Sequence, residues 1–161
     1  MLELPSPTNA HARIAGAAAT PPSIEQLESI IERLGSKLRI AVIFGGDKSV
    51  DGAVINQAAN TRSWKSYEVV ANDIAAALGR LGFRHVALFA DDMRLGDHMR
   101  QGAVDFAWLN TGGVQGYDPM SHAPAMMELF GIPYVGHDPL TVGTLDNKHA
   151  FKRDLACLGL P

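Results

Sequence analysis

Residues 131–136, Gly-Ile-Pro-Tyr-Val-Gly, followed by Asn147-Lys148 and by Gly159-Leu160-Pro161, are the stretch from which the fold is read. Pro133 cannot sit inside a helix, and Gly131 and Gly136 punctuate the chain on either side, so Tyr134-Val135 reads as a short strand. Upstream, His122–Phe130 has the pattern of a short helix with Met126, Met127 and Leu129 buried. Downstream, Asp138-Pro139 starts a turn or short helix to about Leu145. Asp146 or Asn147 then caps a last helix whose packing stripe is Ala150, Phe151, Leu155 and Leu158 and whose stop is Gly159.

Working back from there, Val104–Leu109 reads as a third strand running into Asn110-Thr111-Gly112-Gly113-Val114-Gln115-Gly116, and His85–Ala90 as a second. Between them Asp91-Asp92 makes a turn, and Met93–Arg100 holds one helical segment. The first strand is Leu38–Phe44, a continuous apolar run rich in β-branched residues, which implies burial on both faces. It stops at Gly45-Gly46. Such a pair lets the backbone turn sharply and lets a ligand approach, although a glycine pair is also an ordinary turn. Residues 47–65 form a long polar loop carrying Asp47, Asp51, Asn56, Asn60 and Arg62. Ser66-Tyr67-Glu68 then begins a helix with Val70, Ile74, Ala77, Leu78 and Leu81 inward and Gly79 or Gly82 near its end. Strands alternating with helices give a parallel sheet with right-handed crossovers, that is, a Rossmann-like open α/β sheet with helices on both faces.

Three segments result. Residues 1–22, rich in Ala, Pro, Ser and Thr, are expected to be a flexible leader. Residues 23–36 form an appended amphipathic helix opened by the capping box Ser23-Ile-Glu-Gln26, with Ile24, Leu27, Ile30, Ile31 and Leu34 on one face and Gly35 as the stop. That face packs on the domain or on a second copy. Residues 37–161 are the α/β domain.

Composition narrows the function. With 47% hydrophobic residues in 161, the chain can bury one domain core without staples. The net charge of -3 with mixed signs gives no field for nucleic acid or an anionic membrane, and no apolar run approaches a membrane span. One cysteine, Cys157, permits no internal disulfide, and no secretory leader is evident, so the expected compartment is the cytoplasm. The six histidines are scattered and no Cys-x-x-Cys or His-x-x-x-His occurs, so no metal site is expected. A Walker loop and a Gly-x-Ser-x-Gly elbow are missing as well.

The remaining candidates lie where backbone and charge converge. Gly45, Gly46, Thr111, Gly112 and Gly113 would line a substrate position at the strand ends. Ser66 and Glu68 stand at a helix start, where Ser66 either caps or helps receive an anion. Lys148 and Lys152 share a helix face, either as a solvated pair or as a phosphate site.

From about Leu38 to Pro161 the chain resembles the N-terminal, pre-ATP-grasp domain of the D-alanine:D-alanine ligase family. The resemblance rests on Gly45-Gly46 after the first strand, Ser66-x-Glu68, the glycine loop after the third strand, Gly131-Ile-Pro-Tyr-Val-Gly136, and Asn147-Lys148 to Gly159-Leu160-Pro161. It implies a ligase that phosphorylates one amino acid's carboxylate with ATP, with Mg2+ neutralising phosphate charge, and then joins it to a second amine; with D-alanine this is peptidoglycan precursor synthesis. It further implies that Glu68 holds the ammonium of the first amino acid, that Lys148 contacts ATP, and that the enzyme is a homodimer. Two departures stand out. Residues 47–65 intervene between Gly-Gly and Ser-x-Glu, and the family's His-Gly and Gly-Glu-Asp-Gly loop is here Asn110–Gly116, without the histidine or either acid. A substrate other than D-alanine, or a non-catalytic binding domain, is the corresponding expectation. The family's nucleotide-clasping subdomains do not follow Pro161, so the chain as it stands is expected to be a domain cut from a longer enzyme and inactive alone.

Overall fold

A computed structural model of the chain describes residues 21–45, 64–116 and 118–160 and, for residues 64–66, the backbone alone. The expected leader and the polar loop lie almost wholly outside these residues, as does Gly46. The elements are α1 (Ile24–Leu34), β1 (Arg39–Gly45), α2 (Trp64–Arg80), β2 (His85–Asp91), α3 (Leu95–Gly102), β3 (Phe106–Asn110), a single 3-10 turn (Pro119–Ser121), α4 (His122–Phe130), β4 (Tyr134–Val135), α5 (Pro139–Asp146) and α6 (Lys148–Cys157).

The four strands form one parallel sheet in the order β2-β1-β3-β4. β1 is central, and its alternating side chains feed two cores. Ala41 and Ile43 meet Leu95 and Met99 of α3 and Ala123 and Met127 of α4 on one face. Ile40 and Val42 meet Ala71 and Leu78 of α2 on the other. The open α/β sheet expected from the sequence is therefore present, and burial on both faces explains why β1 is an unbroken apolar run.

Several elements depart from the sequence reading for tertiary reasons. α2 begins at Trp64, two residues before Ser66, so Glu68 is no first-turn acid. Its inward stripe is Ala71, Ile74, Ala75 and Leu78, while Val70 and Leu81 are exposed. The helix is turned so that small alanines approach the sheet closely. α4 has the expected limits, but only Met127 of its expected core is fully buried, Met126 packs beside it, and Leu129 is exposed. In α6, Asn147 is the cap, accepting from the Ala150 amide. Gly159 takes a left-handed φ of 72°. The Leu160 amide bonds the Leu155 carbonyl and the Gly159 amide that of Ala156, a Schellman stop. Of the expected stripe of this helix, Phe151 and Leu158 are exposed while Ala150 and Leu155 are half-buried, so the described residues cover it only in part. In α1 the capping box forms as read, whereas its apolar face is only partly covered.

The N-terminal edge of the sheet is closed by a fork between Arg39 and Asp105, with Nε and Nη2 donating at 2.8 and 2.7 Å and the Arg39 amide adding a third bond. Through these bonds Arg39 pulls the Asp105 carboxyl from an ordinary 3.8 to about 2. A depressed carboxylate contributes stability above its unfolded value and loses it as the pH falls through its folded one. The contribution of this fork is therefore expected to disappear between about pH 4 and pH 2. A carboxyl NMR titration checks this: Asp105 should titrate near 2 and move back toward 3.8 in Arg39→Ala. An unmoved midpoint would count against the fork.

Candidate functional site

In an open parallel sheet the carboxyl ends of the strands deliver side chains to one edge. Here that edge collects Gly45 from β1, Asp91 and Asp92 from β2, and Asn110 to Gly113 after β3, with Gly45 in register with Asp91 and Phe44 with Asn110. Asp91 and Asp92 are both buried, at 5% and 8% exposure. Burial of adjacent acids is costly unless donors meet them, and donors do. The Thr111 hydroxyl donates to Asp91 Oδ2, and the Gly113 amide donates to Thr111 Oγ1 at 3.0 Å. A carboxylate, a hydroxyl and an amide thus form one chain that fixes the loop after β3.

Asp92 serves the next element. Its Oδ1 accepts from the Arg94 amide at 2.7 Å, two residues on, an Asx-type turn that leads into α3, whose own N-cap Arg94 makes no side-chain cap bond. Arg94 Nη2 lies 3.7 Å from Oδ2, and His98 Nε2 lies 3.9 Å from Oδ1 with its ring stacked on Phe89.

Helix α2 is tied to the same edge. The Asn110 amide donates to the Tyr67 carbonyl at 3.0 Å. The Tyr67 ring covers Gly45, where an added Cβ would stand 3.0 Å from its Cδ2. The absence of a side chain at Gly45 is thus used by a neighbouring ring. Gly113 has a similar account: at φ 76° its missing Cβ would fall 2.1 Å from the Pro119 carbonyl oxygen. Gly112 and Gly113 are buried, so the chain's own backbone fills the space that the sequence reading left for a substrate beside Gly113.

The residues expected from the sequence divide as follows. Gly45, Thr111, Gly112 and Gly113 come together at the strand ends. Glu68 is exposed next to Tyr67, and its carbonyl accepts from Asn72. Ser66 lies inside α2, and Gly46 lies outside the described residues. Lys148 opens α6 in a different place, a half-open groove of about 640 Å³ that it lines with Lys152, Leu145, Phe151, Leu155 and Leu160. Two ammonium groups among apolar lining residues suit a ligand with an anionic end and an apolar one. The sequence reading passed over Asp91-Asp92 as a turn; two acids placed directly at a strand's carboxyl end were the signal for them. Among the described residues no three His, Cys, Asp or Glu side chains converge to hold a metal ion. Nor is any described helix long and apolar enough to cross a membrane.

Tyr134, in β4, donates its hydroxyl to Glu128 at 3.0 Å. Burial, reinforced by the Glu128 carboxylate, pushes its hydroxyl up to about 12, so it stays a phenol and fastens β4 to α4.

No family model matches the chain. Among curated proteins, the uncharacterised protein y4sG of Sinorhizobium fredii is 41% identical over 49 residues, which is 30% of this chain and 15% of that protein. Among solved structures, a D-alanine–D-alanine ligase from Bacillus anthracis, complexed with ATP, is similar with a TM-score of 0.51 and 22% identity. The similarity covers 76% of this chain and 36% of the ligase, so the chain spans little more than a third of that protein's length. What the two share is the fold, an open parallel sheet with helices on both faces.

Proposed function

We propose that the chain is the substrate-binding domain of an ATP-dependent, D-alanine:D-alanine ligase-like enzyme that joins amino acids through an acyl phosphate. The supporting observation is the likeness of three quarters of the chain to a D-alanine–D-alanine ligase complexed with ATP. In this reading the amino acid lies at the strand ends near Gly46, Ser66 and Thr111, outside the space that the Tyr67 ring fills at Gly45 and Pro119 fills at Gly113. Glu68 meets its ammonium group, because a cation on a substrate calls for a carboxylate. Lys148, with Lys152 beside it, meets phosphate oxygens at the α6 groove. ATP, when bound, supplies the phosphoryl group that activates the carboxylate. Magnesium neutralises phosphate charge in such chemistry, and among the described residues no cluster of three ligating side chains is assigned to it.

The experiment is amino-acid-dependent ADP release by the polypeptide isolated from the source cells, assayed with a panel of D- and L-amino acids. Lys148→Ala and Glu68→Ala are each expected to lower the rate roughly tenfold, the loss of one charged contact of about 1.5 kcal/mol. Wild-type rates in both variants would remove these two residues from the site. Residues 1–161 alone are expected to release no ADP. A second reading is favoured by one specific feature, the replacement of the family's histidine and acids by Asn110–Gly116: a domain that binds a small molecule without turnover. Calorimetry that finds amino-acid binding, with no ADP release under any condition, would select it.

A further inference from the structure

We propose that the outer edge of β2 receives an extended peptide of another protein as an added strand, with an acidic side chain at the Arg84 end and an apolar one two residues from it. An open sheet has two edges, and an unpaired edge attracts further strands unless something guards it. The β4 edge is guarded: it is two residues long and follows Pro133, which has no amide to donate. The β2 edge is not. Its sequence His85-Val-Ala-Leu-Phe-Ala-Asp91 has no lysine, proline or glycine, and its seven residues hold register with Arg39–Gly45 without a bulge. In a parallel edge strand every second residue turns both its N–H and its C=O away from the sheet, and among the described residues no strand takes those of β2.

The face beside that edge has room for side chains. His85, Ala87 and Phe89 share one face of β2 by the alternation of a strand. Helix α3 packs on the carboxyl part of that face, where His98 stacks on Phe89, and it stops at Gly102, after which Ala103 turns the chain with a left-handed φ of 47°. Ala87 is left exposed in mid-strand, although Ala41, its partner on β1, is fully buried. The recess there, about 360 Å³, is lined by Ala87, Phe89, Gly102 and Val104 together with Arg84 and His85. Gly102 keeps it open: the nearest atoms to an added Cβ are Phe89 Cζ at 3.4 Å and Val104 Cγ2 at 3.5 Å. Arg39 lines it too, but Asp105 meets that charge. Arg84 makes no ion pair among the described residues, although Glu28 and Glu32 share the groove on its other flank. An unpaired cation at the amino end of the strand and an apolar recess beside Ala87 fix the chemistry of the occupant. In an added strand main-chain bonds supply affinity and alternate side chains supply specificity, here an acid and an apolar residue two apart. A small molecule would fill the recess and leave the row of main-chain groups unmet.

The test is independent of any ligase activity. A fluorescein-labelled synthetic peptide, Thr-Glu-Thr-Leu-Thr-Val-Thr, places its acid and its apolar residues on one face, and its anisotropy is read against residues 1–161. Saturable binding is expected. Methylating every second peptide amide should abolish it for one of the two alternating sets and spare it for the other, since only one set faces β2. Arg84→Glu should weaken binding about fivefold, and a peptide with lysine in place of the acid should recover the loss. Gly102→Leu, checked by circular dichroism for retained folding, fills the recess and should weaken binding roughly tenfold, as loss of a buried leucine contact does. No saturable binding, equal tolerance of both methylation patterns, or indifference to Arg84→Glu and Gly102→Leu overturns the proposal. So does hydrogen exchange that finds the outward amides of β2 already protected in the free chain, the result if another segment or a second copy lies on that edge.

Discussion

Gly113→Ala is expected to destabilise the chain by about 3–4 kcal/mol, the sum of a left-handed backbone penalty and an overpacking cost. The backbone at Gly113 has φ 76°, and a methyl group there would stand 2.1 Å from the Pro119 carbonyl oxygen and 2.2 Å from its carbon. Neither atom is the tip of a movable side chain, so either the loop after β3 or the 3-10 turn must shift. For a chain of this size such a loss lowers the midpoint of thermal unfolding by roughly 10 °C. Gly131→Ala is the control. It has φ 66° but nothing within 4 Å of the added atom, so only the conformational part applies, about 1 kcal/mol. Equal effects of the two substitutions would mean that the contact with Pro119 carries no weight.

Thr111→Val is the second large effect, about 3 kcal/mol, because it removes two bonds at once within a buried loop. The hydroxyl is a donor to Asp91, a residue only 5% exposed, and an acceptor for the Gly113 amide. Valine has nearly the same shape, so what is lost is polar satisfaction and not volume. Thr111→Ser keeps both bonds and should stay within about 1 kcal/mol of the parent. Urea unfolding of the three proteins decides it: the valine variant should lose midpoint with an unchanged slope, and the Gly113 amide should exchange faster. A valine variant as stable as the serine one would show that the Asp91–Thr111 bond contributes little.

Both predictions concern contacts that no pattern in the sequence announces. Thr111 reaches Asp91 although β2 and β3 are not neighbours in the sheet, since β1 lies between them. Gly113 was legible as a flexible point, but its Pro119 contact depends on how the 3-10 turn folds back. The Tyr67 ring over Gly45 likewise joins α2 to the end of β1. Of the candidate site, then, the positions of Thr111, Gly112, Gly113 and Gly45 at the strand ends could be read in advance. Their partners could not, and Asp91 and Asp92 left only the signal of two acids at a strand's carboxyl end, without the bonds they make.

The sequence by itself determined whatever is settled within a turn or two of chain. The Ser23-Gln26 capping box, the Asp138 and Asn147 caps, the stops at Gly131 and Gly159 and the limits of α4 all depend on hydrogen bonds and φ values spanning four or five residues. The unbroken apolar run of β1 also announced burial on both faces. Only the tertiary structure decided which face of each helix is covered, for that is set by the order of the strands and the space beneath each helix. Hence Val70 and Leu129 point outward while Ala71 and Ala123 are buried, and the stripes of α1 and α6 are covered only in part by the described residues. Periodicity shows that a helix has an apolar face; what lies against that face is a property of the assembled chain.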